Sequence, residues 1–140
     1  MANPNIVNVT AIYGSTAYVT PPTTATVSTA WTYADISTSG TVSITGLTPA
    51  SGTVIKVDNV MACNTTSSAV TVSLAISDNP TYASGTAHYI AYNITVPPNA
   101  TVVLSDKTTA FYITQFQSLG VIPGTGGSLT IVAGIESITT

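Results

Sequence analysis

Residues 69–77, AVTVSLAIS, set Val70, Val72, Leu74 and Ile76 at every second position, with Thr71, Ser73 and Ala75 between them. Successive side chains of an extended chain point to opposite faces, so this alternation reads as a half-buried antiparallel strand. The same period recurs on both sides of it. Residues 24–33, TATVSTAWTY, put Ala25, Val27, Trp31 and Tyr33 on one face. Residues 53–63, TVIKVDNVMAC, put Ile55, Val57, Met61 and Cys63 together, with Lys56 and Asp58 opposite. In residues 87–96, AHYIAYNITV, the even positions Ile90, Tyr92, Ile94 and Val96 form the expected buried face. Further strands are expected over 6–13, 41–45, 100–105, 110–114 and 128–138.

The separators TPP, GLTPASG, NTTSS, SDNPTYASG, PPNA, SDKTT and PGTGG carry the residues that turns require. No window of a dozen residues places apolar positions at helical spacing. Eight or nine short strands in 140 residues fit two antiparallel sheets packed face to face, an all-β sandwich forming one domain over 1–140. Strand order depends on long-range pairing that a period of two does not encode. Jelly-roll and immunoglobulin-like topologies both satisfy the pattern.

The chain is nearly devoid of charge. Lys56 and Lys107 are its only cations, charged residues make up 5% of the sequence and the formal net charge is −3, where an ordinary domain has about 25% charged residues. Thr and Ser, roughly 30% of all positions, supply the polar surface. Nucleic-acid binding led by phosphate contacts needs several Lys or Arg side chains and is not expected. Attraction to an anionic membrane fails for the same reason. Thr, Ser, Asn or Gly interrupts every apolar run before it reaches bilayer-spanning length. The N-terminus shows no basic segment leading into an apolar run and a cleavage site, so synthesis in a cytoplasm without export is expected.

Titratable groups are few and scattered. Asp35, Lys56, Asp58, Asp78, His88, Asp106, Lys107 and Glu136 stand in no catalytic spacing. Cys63 is alone, which leaves no partner for a disulfide or a thiolate metal site. No run of Asp, Asn and Glu has calcium-loop spacing. PGTGGS at 123–128 lacks the lysine and the helix of a phosphate loop and reads as a hairpin turn. No enzyme activity, cofactor or metal is expected.

Seven Tyr and one Trp are the remaining leads. Trp31 shares a face with Val27 and Tyr33 and is expected in the core. Together these aromatics could form a sugar-stacking platform, and a carbohydrate-binding or adhesin module using exposed Tyr or Trp31 is the alternative reading from another class. Tyr13, Tyr18, Tyr82 and Tyr89 are candidate protein contacts, a setting in which tyrosine is enriched. The opening stretch adds Ile6, Val7 and Val9, because PNIVNVTAIY alternates Val7, Val9, Ala11 and Tyr13 against Ile6, Asn8 and Ile12. A strand apolar on both sides calls for cover on both. Residues 1–14 are therefore expected to form an ordered N-terminal strand or arm, packed in the sandwich or against a neighbouring subunit. Scarce charge and few guarded strand edges favour association.

Four segments carry a resemblance: MANPNIVNVTAIYG at 1–14, VTVSLAISDN at 70–79, ITVPPNATVVLSDKTTAFYI at 94–113 and SLTIVAGIESI at 128–138. In this order along the chain they resemble small virion structural proteins of tailed bacteriophages, notably cyanobacterial and marine phages. Where related sequences are commonly acidic after the FYI-like strand, this chain has TQFQSLGV. The resemblance implies a capsid decoration or cement protein on the outer capsid surface, with the major capsid protein as partner and self-association, a trimer being favoured. It implies no catalytic, metal or cofactor residues. A tail, neck or fibre component is the alternative within the same setting.

Overall fold

A computed structural model describes residues 8–22, 25–35, 40–124 and 128–140. Ten strands run through them: β1 (Ala11–Val19), β2 (Ala30–Asp35), β3 (Gly40–Thr45), β4 (Thr53–Asn64), β5 (Val70–Ser77), β6 (Ala87–Val96), β7 (Ala100–Ser105), β8 (Phe111–Ile113), β9 (Ser118–Pro123) and β10 (Leu129–Thr139). Every pairing between them is antiparallel. The larger sheet has the order β3-β2-β1-β10-β4-β7, with β8 also on β4, and the smaller has the order β6-β5-β9. The expected antiparallel sandwich is therefore present, and its order is one that periodicity could not supply. The first and last strands lie side by side, with Ala11 opposite Thr139 and Val19 opposite Ile131.

The core forms where alternating strands face each other. Leu129, Ile131, Ala133 and Ile135 of β10 point inward and are buried. They pack in one cluster with Val70, Val72 and Leu74 of β5 and with Leu119 and Val121 of β9. Trp31 is fully buried in the same cluster, and its indole Nε1–H donates to the Leu119 carbonyl at 3.0 Å. One side chain thus ties β2 of the larger sheet to β9 of the smaller.

Several expectations need correction. β1 begins at Ala11, later than the strand expected over 6–13; Ile6 and Val7 lie outside the described residues, and Val9 is half-buried ahead of the strand. The strand expected over 24–33 is shorter, because Ser28 pairs with Val121 of β9 before the chain crosses to join the larger sheet at Ala30. β5 is buried on both faces. Its outward Ala75 lies opposite Gly120, where the Tyr82 ring and Val27 come so near that an added Cβ would meet them at 2.6 and 2.7 Å. β9 escapes the period-two reading altogether: SLGVIP is buried at five of six positions, and a strand covered on both faces shows no alternation. Residues 125–127 of the hairpin turn expected at 123–128 lie outside the described residues, and the flanking β9 and β10 belong to different sheets, so they are not the two arms of a hairpin.

β4 changes its inward face midway. Ile135 pairs with Val57 and Gly134 with Asn59, so Asp58 is an extra residue in the ladder. A bulge of this kind shifts parity by one. Ile55 and Val57 point inward before it, Val60 and Ala62 after it, and Met61 turns outward. The expected common face of Ile55, Val57, Met61 and Cys63 is split accordingly.

Carboxylates cap the turns. Asp106 accepts from the N–H and hydroxyl of Thr108 at the start of a 3-10 turn over Lys107–Thr109, and Asp78 accepts from the Thr86 N–H at 2.7 Å. The Thr108 hydroxyl first, and then its N–H, hold the Asp106 carboxyl below its ordinary 3.8. The Thr86 N–H does the same for Asp78. A carboxyl depressed in the folded state stabilises above its unfolded pKa and loses that contribution as pH falls through the folded value. The thermal midpoint, followed by circular dichroism, is expected to fall below about pH 4. Asp106→Asn, which keeps a capping acceptor, is expected to make that fall shallower.

Candidate functional site

Two surfaces stand out, one on the outer face of each sheet. On the larger sheet, register brings Tyr18 of β1 opposite Val132 of β10, Val132 opposite Met61 of β4, and Met61 opposite Val103 of β7. These four residues form a single cross-strand row, the unit through which neighbouring strands contact each other. Tyr18 is 46% exposed and Val103 56%. The row above it is Thr130, Cys63 and Thr101, and the row below is Thr16, Gly134 and Asn59. Uncharged side chains therefore flank the apolar row on both sides.

The charges of this face sit one row further. Lys56 lies 2.7 Å from Asp58 and 3.3 Å from Glu136, and these carboxylates, Asp58 first, raise the Lys56 ammonium above its ordinary value. Partly exposed pairs of this kind add little stability. Their effect is to neutralise one another beside a surface that carries no charge of its own.

On the smaller sheet the departure from regular geometry falls in β6. Ile94 pairs with Val72, Ala91 with Leu74 and Tyr89 with Ala75, so β6 carries an extra residue in each interval. Asn93 takes the left-handed φ of 51°, and its N–H donates to Ser73 Oγ at 2.8 Å. The result corrects the sequence expectation for this strand. Val96 is buried, but Ile90, Tyr92 and Ile94 are exposed, Tyr92 to 67%. Alternation marks two faces of a strand, yet β6 is the margin of a three-stranded sheet, where little lies over either face.

The opposite margin is treated differently. Val121 of β9 exchanges two backbone hydrogen bonds with Ser28, and the Leu119 N–H donates to the Gly46 carbonyl, so that edge is covered by the chain itself. Among the described residues β6 pairs with β5 alone.

Of the residues singled out from sequence, Tyr13, Tyr18 and Tyr89 are exposed. They do not form one site: Tyr18 is on the outer face of the larger sheet and Tyr89 on that of the smaller. Tyr13 lines an open cavity of about 270 Å³ with Tyr33, Ile44, Ile55, Ile135 and Thr139. Tyr82 is half-buried against Gly120, its hydroxyl lacks a partner among the described residues, and burial raises its phenol. Trp31 is fully buried and offers no ring to a sugar. Met61, Val103, Tyr92 and Asn93 were missed. The one signal available for the last two was an asparagine inside an apolar strand, a residue that strands disfavour.

Among the described residues no three His, Cys, Asp or Glu side chains come together as a metal site would require. No helix there is long and apolar enough to cross a membrane. The chain matches no family model, no curated protein and no solved structure.

Proposed function

We propose that this chain is a non-catalytic structural subunit of a tailed-phage particle, a decoration or cement protein that docks on the lattice of the major capsid protein and stabilises the shell. The observation that carries the reading is the Tyr18–Val132–Met61–Val103 row on the outer face of the larger sheet. Its apolar side chains lie between rows of uncharged neighbours, so covering the row itself desolvates no ion. The resemblance of the four quoted segments to phage virion proteins supports the setting. The shell of such a particle offers many identical copies of one partner, and an apolar row with uncharged rows on either side of it suits repeated, permanent contacts better than transient ones. Self-association on the lattice, as a trimer, belongs to the same proposal.

Electron microscopy of virions that encode the protein tests the assignment, with density expected on the outer capsid lattice. Density confined to tail or neck would overturn it. Val103→Lys supplies the matching perturbation. At an exposed position it is expected to shift the thermal midpoint by less than about 2 °C while lowering capsid loading at least about tenfold. Loading is read by gel densitometry of purified particles.

A further inference from the structure

Residues three apart on a regular strand point to opposite faces, so Tyr89 and Tyr92 would not meet on an unbroken β6. The extra residues in the ladder bring them together. Their ring centroids are 4.8 Å apart with planes at 77°, while the side chains remain 51% and 67% exposed. Beside them opens a shallow pocket of about 240 Å³ whose wall includes Thr71, Ser73, Asn93, Ile122 and Pro123. Bulges recur where a strand must re-aim side chains next to a functional site. Here the left-handed Asn93 is held by the bond to Ser73.

We infer that this pocket is a binding site for a neutral pyranoside, the unit of an uncharged glycan. The C–H face of a pyranose needs an aromatic ring to lie on, and its hydroxyls need amides and hydroxyls as partners. Tyr89 and Tyr92 provide the first; the Asn93 amide and the Thr71 hydroxyl provide the second. Among the described residues no charged side chain lines the pocket, which disfavours phosphorylated or carboxylated ligands because nothing would replace their hydration. A nucleobase would also stack on tyrosine, but its phosphates would find no cation here. The volume lies below the range of pockets for drug-sized ligands, roughly 300–1,000 Å³, and suits a single sugar ring. This site is separate from the apolar row of the larger sheet and does not depend on the structural role proposed above.

The test uses the free subunit. The ¹⁵N-labelled protein is titrated with the methyl glycosides of glucose, galactose, mannose and N-acetylglucosamine. At least one is expected to give saturable shifts at the amides of residues 71–73 and 89–93, with Kd in the millimolar range that a single exposed ring unit supports. Tyr92→Ala is expected to weaken that binding about tenfold and to leave the remaining amide spectrum unchanged. Asn93→Gly accepts the same left-handed backbone while removing the amide, and should weaken binding without unfolding β6. The inference is overturned if none of the four glycosides gives saturable shifts at these amides, if the shifts map to the cavity lined by Tyr13 and Tyr33, or if Tyr92→Ala binds as the parent does.

Discussion

Trp31→Ala is expected to lower the thermal midpoint by about 10–15 °C, the largest effect of any single truncation considered for this protein. The side chain is completely buried, and removing a buried aromatic of this size costs about 3–5 kcal/mol through lost transfer energy and the cavity left behind. For a domain of this length each kcal/mol is worth about 3 °C. The substitution also removes the hydrogen bond from the indole to the Leu119 carbonyl, the side-chain tie between β2 and β9. Trp31→Phe separates the two contributions. It keeps most of the buried area and deletes only the donor, so a loss of about 1–2 kcal/mol is expected. Circular dichroism rather than fluorescence must follow the unfolding, because Trp31 is the only tryptophan. A Trp31→Phe loss as large as that of Trp31→Ala would show that the bond, and not the packing, governs the position.

The second large effect is expected at Asn64, the last residue of β4 and one of few fully buried polar side chains. Its Nδ2 lies 2.7 Å from the Ser68 carbonyl, 3.1 Å from that of Val96 and 3.2 Å from that of Pro97. Its Oδ1 accepts from the N–H and the hydroxyl of Thr66 at 3.0 and 2.7 Å. One amide thus binds the turn after β4 to the end of β6 in the other sheet. Two N–H groups serve three carbonyls, so at least one proton is shared. Asn64→Ala strands the buried Val96 carbonyl without its donor, opens the turn held through Thr66 and Ser68, and is expected to cost about 2–4 kcal/mol. Asn64→Asp is expected to cost more at neutral pH, since a carboxylate would face three carbonyl oxygens and both its burial and its neighbours disfavour the charge. Its folded-state pKa would then lie above the unfolded one. The lost stability should return in part as pH falls toward the unfolded value near 4, opposite in sign to the contributions of Asp78 and Asp106. Chemical denaturation at pH 7 and pH 4.5 reads both effects. An Asn64→Asp variant no less stable than Asn64→Ala at pH 7, or one that recovers nothing at pH 4.5, would contradict the account.

How legible the fold was depended on what covered each strand. β10 reads directly, because its inward Leu129, Ile131, Ala133 and Ile135 are opposed by core and the residues between them are not. β9 was invisible because both of its faces are covered, and its Gly120 and Pro123 look like turn residues until the Tyr82 ring against Gly120 is seen. β4 was found, but its second half was placed on the wrong face, since one extra residue at Asp58 inverts everything after it. β6 was found too, with the wrong expectation of burial. The candidate sites suffered most from these two misreadings: Met61 was assigned to the interior, and Tyr92 was hidden in a face that the ladder does not preserve.

The sequence by itself determined the class of the protein. Period-two patterning with turn residues between the runs dictates antiparallel sheets, and the near absence of Lys, Arg, Asp and Glu dictates a surface of hydroxyls, amides and apolar groups. Both are local or additive properties, so they survive being read one residue at a time. The tertiary structure alone decided which apolar residues are core and which are surface. That choice rests on strand order, on the bulges at Asp58 and along β6, and on which margin the chain folds back to cover. A parity shift costs the strand one unpaired residue but moves every later side chain to the other face. It is through such shifts that Met61 came to lie beside Val103, and Tyr89 beside Tyr92.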